Sequence, residues 1–84
     1  MYTVQWSPSA EQDLADLWNQ ARDRTSIADA ANEIDRALAR NPSEFGESRT
    51  GNSRIAFLKP LAVRFDVDDH TRVVRVWDIW RWSR

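Results

Sequence analysis

The sequence has no cysteine, one histidine, one methionine, two glycines and three prolines in 84 residues. Without cysteine, neither a disulfide frame nor a thiolate metal site can hold the fold, and nothing points to secretion. One histidine is too few for a His-rich metal site, so neither a metal nor a cofactor is expected. No stretch approaches the roughly 18 uninterrupted apolar residues of a membrane span. The start, MYTVQWSPSAEQDL, lacks the basic segment and apolar run of a signal peptide. These absences predict a cytoplasmic protein with no membrane association. The length predicts one domain, residues 1–84, with a small core, since a chain of this size buries roughly 60–65% of the surface exposed on unfolding. No repeat or low-complexity segment is visible.

A net charge of -1 conceals an uneven distribution. Residues 1–48 carry four arginines and nine acids, 4 - 9 = -5, whereas residues 49–84 carry eight basic residues and four acids, 8 - 4 = +4. A basic C-terminal half can attract phosphate or an acidic partner whatever the total, because local fields govern encounter. The two blocks can equally neutralise each other within the fold.

YTVQW alternates apolar and polar residues with the period of a half-buried strand. Ser7 is suited to an N-cap and Pro8 to the first helical position, and Ala10, Leu14, Leu17, Trp18 and Ala21 recur at helical spacing, predicting a helix over 8–21. RDRT interrupts the pattern, and Thr25 or Ser26 is placed to cap a second helix carrying Ile27, Ala30, Ala31, Ile34, Ala37 and Leu38. The two form an αα-hairpin. PSEFGESRTGNS, with both glycines, reads as a surface loop. RIAFLK, LAVRFDVD and RVVRVWDIWRW then read as three strands of an antiparallel meander, the last two joined as a hairpin. The fold class is α+β: N-terminal strand, αα-hairpin, three-stranded meander.

Opposite charges fix a register for that hairpin. Pairing Asp66 with Arg75 leaves Asp69 to Arg72 as the loop and puts Val63, Phe65 and Val67 on one face with Val74 and Val76. This face is expected to meet the helices. The other shows Arg64, Asp66, Arg75, Trp77, Ile79 and Arg81, an uncovered surface on which Trp77 and Ile79 would anchor a protein partner and Arg64 and Arg75 would orient its carboxylates. Trp6 and Trp18 fit core faces, and the parity of Trp80 turns it toward the helices. His70 falls in the hairpin turn, where a polar residue is expected in any case. Glu44 and Glu47 are loop carboxylates that can act as a general base or simply be solvated.

The order and spacing of SPSAEQDLADLW, NEIDRALARNP, GESR and PLAVRFDVDDHTRVVRVWDI resemble the RelE/ParE superfamily of bacterial toxins over nearly the whole chain. The resemblance implies the toxin of a type II toxin–antitoxin (plasmid stabilisation) module, neutralised by a cognate antitoxin. One branch cleaves ribosome-bound mRNA and the other poisons DNA gyrase. Cleavage requires a proton acceptor, a proton donor and cations that hold the phosphate. By resemblance Arg49, Arg54 and Arg81 fall at or near phosphate-binding positions. Ala56 and Ala62 stand where further basic residues are usual, and the C-terminal acid/base extension is missing, so the ribonuclease set is incomplete. The gyrase branch does not use that set. The resemblance thus leaves open a ribonuclease, a gyrase poison, or a non-catalytic interaction or regulatory module of the same fold.

Overall fold

The structure is a computed structural model that describes residues 1–48 and 51–82. Its elements are β1 (Thr3–Trp6), α1 (Pro8–Gln20), α2 (Arg24–Arg40), β2 (Glu47–Ser48), β3 (Ser53–Leu58), β4 (Leu61–Asp68) and β5 (Val73–Arg81). One sheet holds all five strands in the order β1-β5-β4-β3-β2. The strand, helical pair and antiparallel meander expected from the sequence are all present. β1 pairs parallel with β5, Thr3 opposite Val73 and Trp6 opposite Val76.

Local chemistry accounts for the helix boundaries. The Ser7 hydroxyl accepts the Ala10 N–H at 3.0 Å and donates to the Trp77 carbonyl at 3.1 Å, so one residue caps α1 and ties its start to β5. Pro8 follows at the first helical position, where its missing N–H costs nothing. At the other end the Arg24 guanidinium donates to the carbonyls of Trp18 and Asn19, both at 3.1 Å, satisfying acceptors that the helix leaves open. The second helix begins one or two residues before the expected Thr25 or Ser26 cap. Asp23 is its N-cap but makes no side-chain capping bond. Both of its carboxylate oxygens accept from Arg81 instead, at 3.1 and 2.8 Å.

The core lies between the helices and one face of the sheet. Ile27, Ala30, Ile34 and Leu38 of α2 and Ala10 of α1 pack with Ala56, Leu61, Val63, Phe65, Val74, Val76 and Ile79. Fully removing one of the larger of these side chains, such as Ile34 or Phe65, from water contributes about 1.5–3 kcal/mol. Trp6 is half-buried against this core, but Trp18, expected within it, is 43% exposed. Leu14 and Leu17 take the core side of α1, which leaves Trp18 on its margin with the Arg24 guanidinium 4.7 Å from its ring centroid.

Two local features depart from the sequence reading. The expected loop contains a short strand, β2, with Glu47 opposite Ile55 and Ser48 opposite Arg54. Gly46 permits this approach: its φ is +128° and a Cβ there would lie 2.7 Å from the Ile55 carbonyl oxygen. The second feature is a β-bulge. Asp66 does pair with Arg75 and Phe65 with Val76, but Arg64 then pairs with Asp78, so Trp77 has no partner on β4. Every later residue of β5 changes face. Ile79 pairs with Val63 and is buried to 3% exposure, so it belongs to the core and not to the outward surface expected of it. Trp80 pairs with Ala62 and turns outward, and Arg81 moves to the helix side.

Candidate partner-binding surface

The sheet face away from the helices is built from three transverse rows. Phe57, Ala62 and Trp80 form one, Ile55, Arg64 and Asp78 the next, and Ser53, Asp66 and Arg75 the third. Ala62 is fully buried yet stands outside the helix-side core cluster, as its place between Phe57 and Trp80 requires. Phe57 is 43% exposed and meets Trp82 with ring centroids 4.8 Å apart. The Trp82 amide donates to the Pro60 carbonyl at 2.8 Å, which carries the β4–β5 pairing one step past Arg81 and fixes that ring. Trp77, extruded by the bulge, is 39% exposed and donates its indole N–H to Asp66 Oδ2 at 2.8 Å. The face thus has an aromatic group toward each end, with the Arg64–Asp78 ion pair between them at 2.6 Å.

The residues singled out from the sequence separate into distinct environments. Arg64, Arg75 and Trp77 share the outward face, Arg75 exposed and Arg64 engaged with Asp78. Ile79 does not reach that face. Arg54 shares a row with Phe65 and Val76 on the helix side, where its guanidinium donates to Ser48 Oγ and to the Gly46 carbonyl, both at 2.8 Å, and to the Ser43 carbonyl. It staples the segment that the sequence presents as a loop. Arg81 forms the bidentate pair with Asp23 at the α1–α2 turn. This bond holds the Asp23 carboxyl below the usual carboxylate range. Arg49 lies outside the described residues.

The lesser candidates have structural occupations. The His70 amide donates to Asp68 Oδ1 at 3.0 Å and Thr71 does the same at 3.2 Å, a turn that lowers the Asp68 carboxyl below its ordinary value. Glu44 is exposed in the turn after α2, its amide bonded to the Asn41 carbonyl. Glu47 takes part in the β2 pairing. Among the described residues no group of three or more His, Cys, Asp or Glu is placed to hold a metal ion, and no helix is long and apolar enough to cross a membrane.

What this surface offers is apolar contact bordered by polar groups largely paired in place, Arg64 with Asp78 and Asp66 with the Trp77 N–H, while Arg75 stands exposed. Such a face suits a protein segment better than a phosphate backbone, which needs uncompensated cations. Phe57 and Trp82 belong to it although the sequence reading assigned them no role. The alternation of RIAFLK already places Phe57 opposite in parity to Ala56 and Leu58.

Comparison with known proteins follows this geometry. The family model for the ParE toxin of the type II toxin–antitoxin system parDE matches residues 4–84. The chain is similar to the toxin–antitoxin complex RelBE2 from Mycobacterium tuberculosis, with a TM-score of 0.75, 23% identity, and 95% of this chain and 96% of that one covered. It is also similar to the chromosomal ParDE system from P. aeruginosa, with a TM-score of 0.75, 17% identity and coverage of 99% and 98%. The intact E. coli RelBE complex aligns over all of both chains at 16% identity with a TM-score of 0.69. These structural likenesses establish the fold. A search of curated proteins finds no match.

Proposed function

The chain belongs to the ParE toxin family of type II toxin–antitoxin systems, and from that premise we propose that it acts by binding a protein target, DNA gyrase, and not by cutting RNA. The observation that carries this reading is the fate of Arg54 and Arg81, two of the three candidate phosphate ligands. Arg54 is committed to oxygens of the 43–48 segment and Arg81 to Asp23, on the helix side of the sheet. Drawing either onto a phosphate would break bonds that hold the fold, whereas stabilising a transition state requires donors already aimed at the developing charge. Ala56 and Ala62 supply no further cation. A toxin that acts by occupying its target needs only a surface.

The neutralising partner is an antitoxin, a reading supported by the similar M. tuberculosis and E. coli proteins, which are solved as toxin–antitoxin complexes. We place its contact on the outward sheet face, with Trp77 as aromatic anchor, Arg75 as the charge that orients an acidic residue, and Arg64 at the centre. Gyrase and the translating ribosome are both cytoplasmic, so the toxin acts there.

Purified gyrase and ribosome-bound transcripts distinguish the branches. Inhibited supercoiling with transcripts intact is the expected result. Transcript cleavage at ribosome-occupied codons, lost on Arg54→Ala with the fold preserved, would sink the binding mechanism. Normal bacterial growth at verified soluble expression would instead favour a non-catalytic interaction module.

A further inference from the structure

β1 fills only half of its place beside β5. Its pairing stops at Trp6 opposite Val76, the Ser7 amide donates to the Val76 carbonyl at 2.9 Å, and the chain then turns into α1. Among the described residues no strand lies beside Asp78–Arg81 on the edge away from β4. We propose that an extended segment of a protein partner, alternating basic and apolar residues, pairs with this stretch of β5 and continues the line of β1.

Backbone phase, space and charge select that occupant. In an antiparallel ladder, pairs that exchange both backbone hydrogen bonds alternate with pairs that exchange none. The Trp82 amide donates to the Pro60 carbonyl, so Trp80 opposite Ala62 and Asp78 opposite Arg64 are the bonded pairs of β4 and β5. Ile79 and Arg81 therefore turn their N–H and C=O groups to the other edge, a template for an added strand. The stretch from Asp78 to Arg81 spans about 13 Å. Beside it opens a cavity of about 330 Å³, lined by Ile79 and Trp80 and, across from them, by Asp13, Asp16 and Gln20 of α1. The basic side chain that also lines it, Arg81, is already held by both carboxylate oxygens of Asp23. Asp16 accepts only from the neutral Gln12 amide, at 3.0 Å, so the charge left for a newcomer is negative. Side chains of an added strand alternate between faces: those on the helix side meet the two carboxylates, and those on the other side lie beside Trp80. Two copies of this chain joined edge to edge would instead set Asp13 and Asp16 against their own images, which disfavours self-pairing. The edge requires no particular toxin target.

The test uses the full chain. In the free protein the amides of Ile79 and Arg81 are expected to exchange with solvent at least tenfold faster than those of Asp78 and Trp80. Three blocked peptides of about six residues are then titrated: one alternating lysine and valine, one alternating glutamate and valine, and a lysine peptide with every backbone amide N-methylated, which keeps the charges and loses the ladder. Saturable shifts and slowed exchange at Ile79 and Arg81 are expected with the first, at least tenfold weaker binding with the second, and none with the third. Asp13→Lys, an exposed change that leaves the melting temperature in place, should weaken the lysine peptide several-fold. Equal affinity for the lysine and glutamate peptides, binding that survives N-methylation, or no binding at all would each overturn the proposal. So would Ile79 and Arg81 amides as protected as their neighbours in the free protein, or a dimer in sedimentation that protects them.

Discussion

Trp77 donates its indole N–H to the Asp66 carboxylate at 2.8 Å, reaching back along the sheet from the one β5 position that the bulge leaves unpaired. The bond keeps the ring outward while Val76 before it and Ile79 after it enter the core. Trp77→Ala therefore removes an exposed side chain and an exposed hydrogen bond, and stability should change by about 1 kcal/mol or less. Antitoxin affinity should fall by ~2 kcal/mol, roughly 30-fold. Ile79→Ala should cost about 2–5 kcal/mol of stability. Urea unfolding and calorimetric titration of the two variants check this contrast, and unfolding caused by Trp77→Ala alone would contradict the register.

Arg54 is held by Ser48, Gly46 and Ser43. Lysine has one ammonium where arginine has a planar fork, so it cannot bridge the same acceptors. Arg54→Ala and Arg54→Lys should both destabilise the protein, by about 2–3 kcal/mol for a charged group losing its bonds. Limited proteolysis should then cut first within residues 43–48. Equal resistance in the variant and the parent would show that the staple does not hold this segment.

Ser7 serves a helix start and a strand at once, through Ala10 N–H and the Trp77 carbonyl. Ser7→Ala should cost about 1–2 kcal/mol, toward the upper end of capping losses because a second bond goes with the first. Hydrogen exchange should quicken both in the first turn of α1 and around the bulge. Acceleration in the helix alone would separate the two roles.

Acid should weaken the link between the α1–α2 turn and the end of β5. The Asp23 carboxyl is depressed in the folded protein by its bond to Arg81. Its contribution is present above the unfolded value of about 3.9 and is lost as pH falls through the lower folded one. Asp23→Asn should therefore lower stability by a constant amount above about pH 4 and flatten the profile below it. At the alkaline end, the bond from the Tyr2 hydroxyl to Asp69 at 2.6 Å raises the phenol. That contribution holds below about pH 10 and disappears as pH rises through the folded value, so Tyr2→Phe should flatten the alkaline limb. Thermal melts across pH measure both, and identical profiles for parent and variants would rule these links out.

Much of this architecture was legible because strong local signals agreed with the final fold. Ser7–Pro8 marked the helix start, and Asp66 with Arg75 fixed the hairpin register as far as Val76. The bulge was not legible. No glycine or proline marks Trp77 or Asp78, and strict alternation through VVRVWDIW inverted the faces of Ile79, Trp80 and Arg81. The fates of Arg54 and Arg81 were hidden for a different reason. Each is neutralised by groups distant in sequence, carbonyls of the 43–48 segment in one case and Asp23 in the other. Resemblance could mark these arginines as cations but could not show that tertiary contacts had already claimed them.

The parallel pairing of Thr3 with Val73 joins positions 70 residues apart. During synthesis β1 emerges first and has no neighbouring strand to accept it until β5 has been made. At ~5–20 residues per second that delay is roughly 4–14 s. The sheet cannot close until β5 has been made, so the surface that would recognise a target comes into being only after Val73–Arg81 has emerged.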